Sequence, residues 1–201
     1  MRGGGDPSPV VQREGRMMTE KEKAARGMLY NANYDPELIR ERDAAKEILW
    51  EYNRLRPTQR AERERLIRSL LGAVGDGFVI EQPFQCDYGY NIEIGRNFYS
   101  NHNLVILDAA KVIIGDHVFI APNVGIYTAG HPLDTDQRAE GLEYARPVTI
   151  GDDVWIGGGV SILPGVHIGN GTTIGAGSVV TRSLPARVVA VGNPCRVIRQ
   201  L

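Results

Sequence analysis

Every sixth residue from Ile150 to Val180 is a branched aliphatic: Ile150, Ile156, Ile162, Ile168, Ile174 and Val180. Ile114, Ile120 and Ile126 form a second such ladder, with Ile94 and Ile106 preceding it. Gly95, Gly115, Gly151, Gly157, Gly169 and Gly175 stand one place after the ladder, and Val118, Val124, Val154, Val160 and Val166 four places after it. A period of six fits neither the 3.6 of an α-helix nor the 2 of a flat alternating strand. It is the signature of a parallel β-helix, in which each hexapeptide makes one short strand and one corner. The branched side chains point inward and stack on their counterparts one coil away, and the glycine is expected to supply the tight turn.

The rest of the composition is that of a soluble globular chain. Of 201 residues, 42% are hydrophobic and 23% charged, which suits one substantial domain. No uncharged apolar run approaches the ~18 residues of a membrane span. Residues 1–18 hold glycine, proline and charges without an apolar stretch, so they read as a loose leader rather than a secretory signal, and a cytoplasmic location is expected. Cys86 and Cys195 suit neither a disulfide framework nor a zinc site, and read as ordinary buried thiols.

Ahead of the ladder the periodicity is helical. Thr19-Glu20-Lys21-Glu22 has capping-box spacing and predicts a helix running to about Tyr30. Asp35-Pro36 starts a second, with the carboxylate at the N-cap and proline in the first turn; Leu38, Ala45, Ile48, Leu49 and Tyr52 form its apolar stripe. Pro57-Thr58 opens a third, which Gly72 stops. The expected organisation is a leader (1–18), a helical segment (19–75), a β-helix (76–190) with an inserted loop (127–149), and a short C-terminal helical tail (191–201).

Charge is distributed unevenly. No Asp or Glu occurs from Val154 to Leu201, whereas Arg182, Arg187, Arg196 and Arg199 give that stretch a charge of +4. Guanidinium forks pair with phosphate oxygens, so this segment suits a polyanionic ligand; a solvated basic edge is the plainer reading. A nucleic-acid binder would carry a larger basic excess with aromatics for stacking.

Four segments together, CDYGYNIEIGRNFYSN (Cys86 to Asn101), IAPNVGIYTAGHP (Ile120 to Pro132), PVTIGDDVWIGGGVSILPGVHIG (Pro147 to Gly169) and GNPCRVIRQL (Gly192 to Leu201), resemble the hexapeptide-repeat sugar O-acetyltransferases, the group of maltose, galactoside and nodulation-factor acetyltransferases. The resemblance spans about Met18 to Leu201. It implies a mainly β fold, a left-handed parallel β-helix with three hexapeptides per coil, and a homotrimer with active sites between subunits. It also implies acetyl-CoA as donor, a sugar hydroxyl such as that of maltose, glucose or a galactoside as acceptor, and no metal.

An alcohol attacking a thioester must lose its proton, and histidine is the natural base near neutral pH. Of His102, His117, His131 and His167, only His131 lies where the ladder is interrupted, between Ile126 and Ile150. Long interruptions of a repeat are more often functional than not, and the family's catalytic histidine falls on His131. The resemblance also implies an active-site role for Asn101 and, across a slightly longer segment, an acceptor contact from Asp35, while Asp108 and Asp87, acidic residues amid strand-like sequence, suit accepting hydrogen bonds from sugar hydroxyls or orienting His131. Asn101 also reads as a turn residue, Asp87 and Asp108 as exposed corner carboxylates, and Asp35 as an N-cap. For coenzyme A the family's contacts map onto Gly158, Ala176, Thr181, Arg182, Arg196 and Arg199, with Trp155 walling the pocket or serving as a corner aromatic. Three other readings share the architecture: an acetyltransferase acting on serine or another non-sugar acceptor, a β-helix metalloenzyme of the γ-carbonic anhydrase kind, and a scaffold without catalysis.

Overall fold

The computed structural model describes residues 17–201; the expected leader otherwise falls outside them. The hexad ladder folds as a left-handed parallel β-helix. Ile150 pairs with Ile168, Ile156 with Ile174 and Ile162 with Val180, so counterparts stand 18 residues apart and three hexapeptides complete one coil. Toward the N-terminus Ile94 pairs with Ile114 and Ile106 with Ile126, a spacing of 20 that displaces these residues from the later register. Every ladder residue is buried, as are Val118, Val124, Val154, Val160 and Val166. At roughly 25 cal/mol per Å² of apolar surface, this continuous stack is the main source of stability.

The glycines one place after the ladder do not supply the turn. They mark where successive coils come closest: a Cβ on Gly95 would lie 2.6 Å from the carbonyl carbon of Gly115, and one on Gly157 would lie 2.6 Å from the backbone nitrogen of Ala176. The left-handed corner falls three places after the ladder, at Asn97, His117, Asn123 and Asp153, with φ of 54°, 56°, 61° and 57°. Asparagine and aspartate tolerate that region better than other side chains.

The helices close the N-terminal end. Helix α1 (Glu20–Ala25) begins at the Thr19/Glu22 capping box but ends five residues short of Tyr30. Gly27 turns the chain at φ 67°, and Tyr30–Asn31 becomes a strand paired with Leu142–Ala145. Helix α2 (Pro36–Tyr52) is capped by Asp35, whose Oδ1 accepts from Leu38 N at 2.9 Å. Helix α3 (Arg60–Leu70) starts after Pro57-Thr58, because Arg56 and Gln59 first close a turn through two hydrogen bonds of 2.9 Å. Leu49, Tyr52, Leu66, Ile67 and Leu70 pack into the same core as Phe84 and Ile92, and the Tyr52 hydroxyl donates to Ile80 O. The first β-helix strand, Ala73–Val74, precedes the expected start at 76.

The C-terminal tail is not helical. Arg196–Gln200 is a strand lying antiparallel to Val188–Val191, where it pairs backbone groups that the final coil would otherwise expose as a sheet edge. The interruption after Ile126 is also ordered. It contains a strand at Ala129–Gly130, helix α4 (Thr135–Ala139) capped by Asp134, and the strand Leu142–Ala145. Leu142–Ala145 forms the middle of a three-stranded sheet, between Tyr30–Asn31 and Ala129–Gly130.

Candidate active site

Three successive corners of the β-helix line one wall of a cavity of about 370 Å³: Asp87 and Tyr88 from one coil, Leu107 and Ala109 from the next, and Ala129, Gly130 and His131 from a third. Tyr30, Ala32, Asn33, Arg42 and Glu143 close it from the N-terminal segment and the insertion. Fully buried polar side chains hold the corners in step. Asp108 Oδ1 accepts from Asp87 N at 3.0 Å and Tyr88 N at 2.9 Å. Thr128 Oγ1 donates to Leu107 O at 2.7 Å and accepts from Ala110 N at 2.9 Å. Asp108 Oδ2 is buried without a hydrogen-bond partner, so it is the Oδ1 bonds and the Thr128 hydroxyl that fix one coil's corner against the next.

His131 Nδ1 lies 2.9 Å from the backbone oxygen of Leu142. A carbonyl oxygen only accepts, so Nδ1 carries the proton in this bond, and in the neutral ring the lone pair is then on Nε2. Glu143 Oε1 is 3.9 Å from Nε2. Glu143 Oε2 accepts from the Tyr30 hydroxyl at 3.1 Å. The arrangement is an imidazole held by a backbone carbonyl through Nδ1, a carboxylate near Nε2, and a buried hydroxyl on that carboxylate, a set able to take up a proton and offset the resulting charge.

Asp87 faces the same cavity, and its carboxyl is pushed up to about 6 by burial and by the nearby Asp108 charge, with Arg42 opposing. The Arg42 guanidinium donates to the Tyr88 hydroxyl at 2.8 Å and to Ala32 O at 2.7 Å, so it is fixed in place. The cavity therefore sets apolar surface from Leu107, Ala109 and Ala129 against acidic and amide groups. Such a lining fits a molecule with C–H faces and hydroxyl edges.

The expected site residues divide into groups. His131 and Asp87 share the cavity. Asp108 is not an exposed corner carboxylate: it is fully buried and spends Oδ1 on backbone, while burial raises its acid range. Asp35 caps α2 and lies outside the cavity lining. Asn101 follows the strand Tyr99–Ser100, its Oδ1 accepts from His102 N at 2.8 Å, and it also lies outside that lining. Tyr99 pairs with Phe119 and Phe119 with Trp155, which places three aromatics in line on one sheet face, Phe119 53% and Trp155 57% exposed.

The residues expected at coenzyme A lie beyond Trp155. Trp155 pairs with Thr173, Thr173 with Val189 and Val189 with Arg199, so the indole and the guanidinium belong to one sheet three strand spacings apart, roughly 14 Å. Gly158 O accepts from Gly177 N at 2.8 Å, which sets the corner of Ala176 beside that of Gly158. Thr181, Arg182, Arg196 and Arg199 are exposed. Glu143, Tyr30 and Arg42 had no sequence signal: their contacts form across as many as 113 residues.

Among the described residues no group of three His, Cys, Asp or Glu could hold a metal ion, and no helix is long and apolar enough to cross a membrane. His102 Nδ1 contacts Gln82 O, His117 contacts Asp153 and Asn97, and the His167 backbone N–H donates to Ser183 Oγ at 2.9 Å.

A left-handed hexapeptide helix with a histidine on an inserted loop and a basic C-terminal sheet defines the class of β-helical acyltransferases. Residues 23–75 match the maltose acetyltransferase hexapeptide capping motif, and residues 147–182 match six bacterial transferase hexapeptide repeats. The chain is 63% identical over 175 residues to protein YJL218W of Saccharomyces cerevisiae, covering 87% of this chain and 89% of that one. Among solved structures, it is similar to a maltose O-acetyltransferase from Clostridium difficile 630 (51% identity, TM-score 0.90, 92% of this chain and 98% of that one). It is also similar to a galactoside acetyltransferase in complex with coenzyme A (44% identity, TM-score 0.89, 92% of each chain). The chain belongs to the hexapeptide-repeat acetyltransferases that carry the maltose acetyltransferase capping motif.

Proposed function

We propose that the protein transfers an acetyl group from acetyl-CoA to a hydroxyl of a neutral sugar, with His131 as the general base. The observation that carries this reading is the Nδ1 contact of His131 with Leu142 O, which leaves Nε2 as acceptor beside the cavity. Nε2 takes the hydroxyl proton as the sugar oxygen attacks the thioester carbonyl. The tetrahedral adduct then expels the thiolate, which takes the proton from the imidazolium; the net change is one ester formed and one thioester broken. Asp87 accepts hydrogen bonds from other sugar hydroxyls, and the apolar wall meets the C–H face of the ring. The Gly158 backbone contacts the acetyl-bearing arm, Trp155 walls it, and Ala176, Thr181, Arg182, Arg196 and Arg199 take the nucleotide and phosphates. The four-arginine segment without a carboxylate supports the phosphate assignment.

The same proposal includes a trimer in the cytoplasm. Unpaired buried Cys86 and Cys195 suit a reducing compartment. The row of half-buried Tyr99 and exposed Phe119 and Trp155 supports an intersubunit face. On this reading Asn101 serves the His131 cavity of an adjoining copy. Mixing inactive His131→Ala and Asn101→Ala proteins under subunit exchange should then restore part of the activity, since some sites receive both native residues. No recovery, with exchange verified by mass spectrometry, contradicts a shared site. Sugar acetylation itself is tested by mass analysis of the product: an acceptor gaining one acetyl group supports it, and acetyl-CoA consumption with serine but no sugar overturns it.

A further inference from the structure

We propose that Tyr30, which reaches the cavity from the N-terminal segment, is a positioning residue for acetyl transfer: its hydroxyl fixes the Glu143 carboxylate beside His131 Nε2. The inference rests on the reading of His131 as base. Tyr30 is 1% exposed and pairs across the strands directly with Glu143. Its hydroxyl is 3.1 Å from Oε2, and the other carboxylate oxygen, Oε1, is 3.9 Å from Nε2. One carboxylate therefore spans a phenol of the N-terminal segment and the histidine of the insertion.

The physical role follows from what changes during transfer. As Nε2 gains the sugar's proton the ring becomes cationic, and a carboxylate about 4 Å away stabilises that cation most when it is held still in a partly buried site. Tyr30 is suited to hold it. Burial and the Glu143 charge make the Tyr30 hydroxyl far less acidic than an ordinary phenol, so it stays a neutral donor. Asp87, Tyr88 and Arg42 face the same space, and Arg42 lines the cavity as a competing cation. A Glu143 released from Tyr30 is free to turn from the imidazole toward that guanidinium. The hydroxyl thus ties the α1 segment to the catalytic insertion, which accounts for the short strand that replaces the end of the expected first helix.

A double-mutant cycle tests this in the full-length protein, with His131→Ala as reference. Tyr30→Phe keeps the ring and removes one oxygen. It should lower kcat about tenfold while the acetyl-CoA KM stays within about twofold of the parent. Glu143→Gln keeps the shape and removes the charge, and should lower kcat at least as far. In the Glu143→Gln background, Tyr30→Phe should then have no further effect, because the residue acts only through that carboxylate. Parental kcat in Tyr30→Phe overturns the proposal, as do losses that multiply in the double variant. Should Tyr30→Phe lower the melting temperature sharply, Glu143→Gln decides alone: parental kcat there removes the carboxylate that Tyr30 would position. Full activity in His131→Ala would instead strike the base assignment itself, a result distinguishable from failure of the Tyr30 link.

Discussion

Asp108, buried one coil beyond Asp87, receives the Asp87 backbone N–H on Oδ1 at 3.0 Å, so the residue that positions Asp87 also places a second carboxyl against it. Burial and this neighbour hold the Asp87 carboxyl at about 6 rather than the ordinary 3.8. Because the folded value lies above the unfolded one, protonated Asp87 favours the fold. That contribution is full below about pH 4 and is lost as pH rises through about 6.

Asp87→Asn should therefore be more stable than the parent above about pH 7, by on the order of 2 kcal/mol, and equal to it near pH 4. Urea unfolding at the two pH values measures this. Its acceptor KM should rise while acetyl-CoA binding is unchanged; equal stability at both pH values would contradict the burial argument.

Asp35 makes one contact with a clear consequence, the cap to Leu38 N at 2.9 Å. Asp35→Ala should cost about 1 kcal/mol of stability and leave acceptor kinetics within about twofold. Thermal unfolding and initial rates separate the two roles that its sequence position allowed. A large rise in acceptor KM would return Asp35 to the site.

Adjacent glycines at the proposed thioester corner should respond differently. A Cβ on Gly157 would meet Ala176 backbone at 2.6 Å, whereas one on Gly158 would meet its nearest atom, Pro122 O, at 3.3 Å. Gly157→Ala should destabilise by about 1–3 kcal/mol through overpacking between coils, while Gly158→Ala should change stability by less than about 1 kcal/mol. Melting temperatures of the pair provide the comparison.

The β-helix was legible because its information is local and repeated: one inward branched residue per hexapeptide, tested many times between Ile94 and Val180. The role of the following glycines was not, since close approach of Gly157 to Ala176 is a relation between coils. The C-terminal tail was misread for a similar reason. Its strand state depends on the edge of Val188–Val191, which no local pattern in Arg196–Gln200 reveals. A break in the ladder pointed to His131, which lines the cavity, and the acid-free stretch pointed to arginines that lie outside that lining. Tyr30 and Glu143 lie 113 residues apart in ordinary sequence, and only the three-stranded sheet brings them together.

The central claim is that His131 Nε2 is the base for acetyl transfer to a sugar. The most direct measurement is thiol release from acetyl-CoA across a panel of mono- and disaccharides, comparing the parent with His131→Ala. The account predicts sugar-dependent turnover in the parent, a fall in kcat of about 10²- to 10⁴-fold in the variant, and acetyl-CoA affinity unchanged. Equal turnover in the two proteins would contradict it.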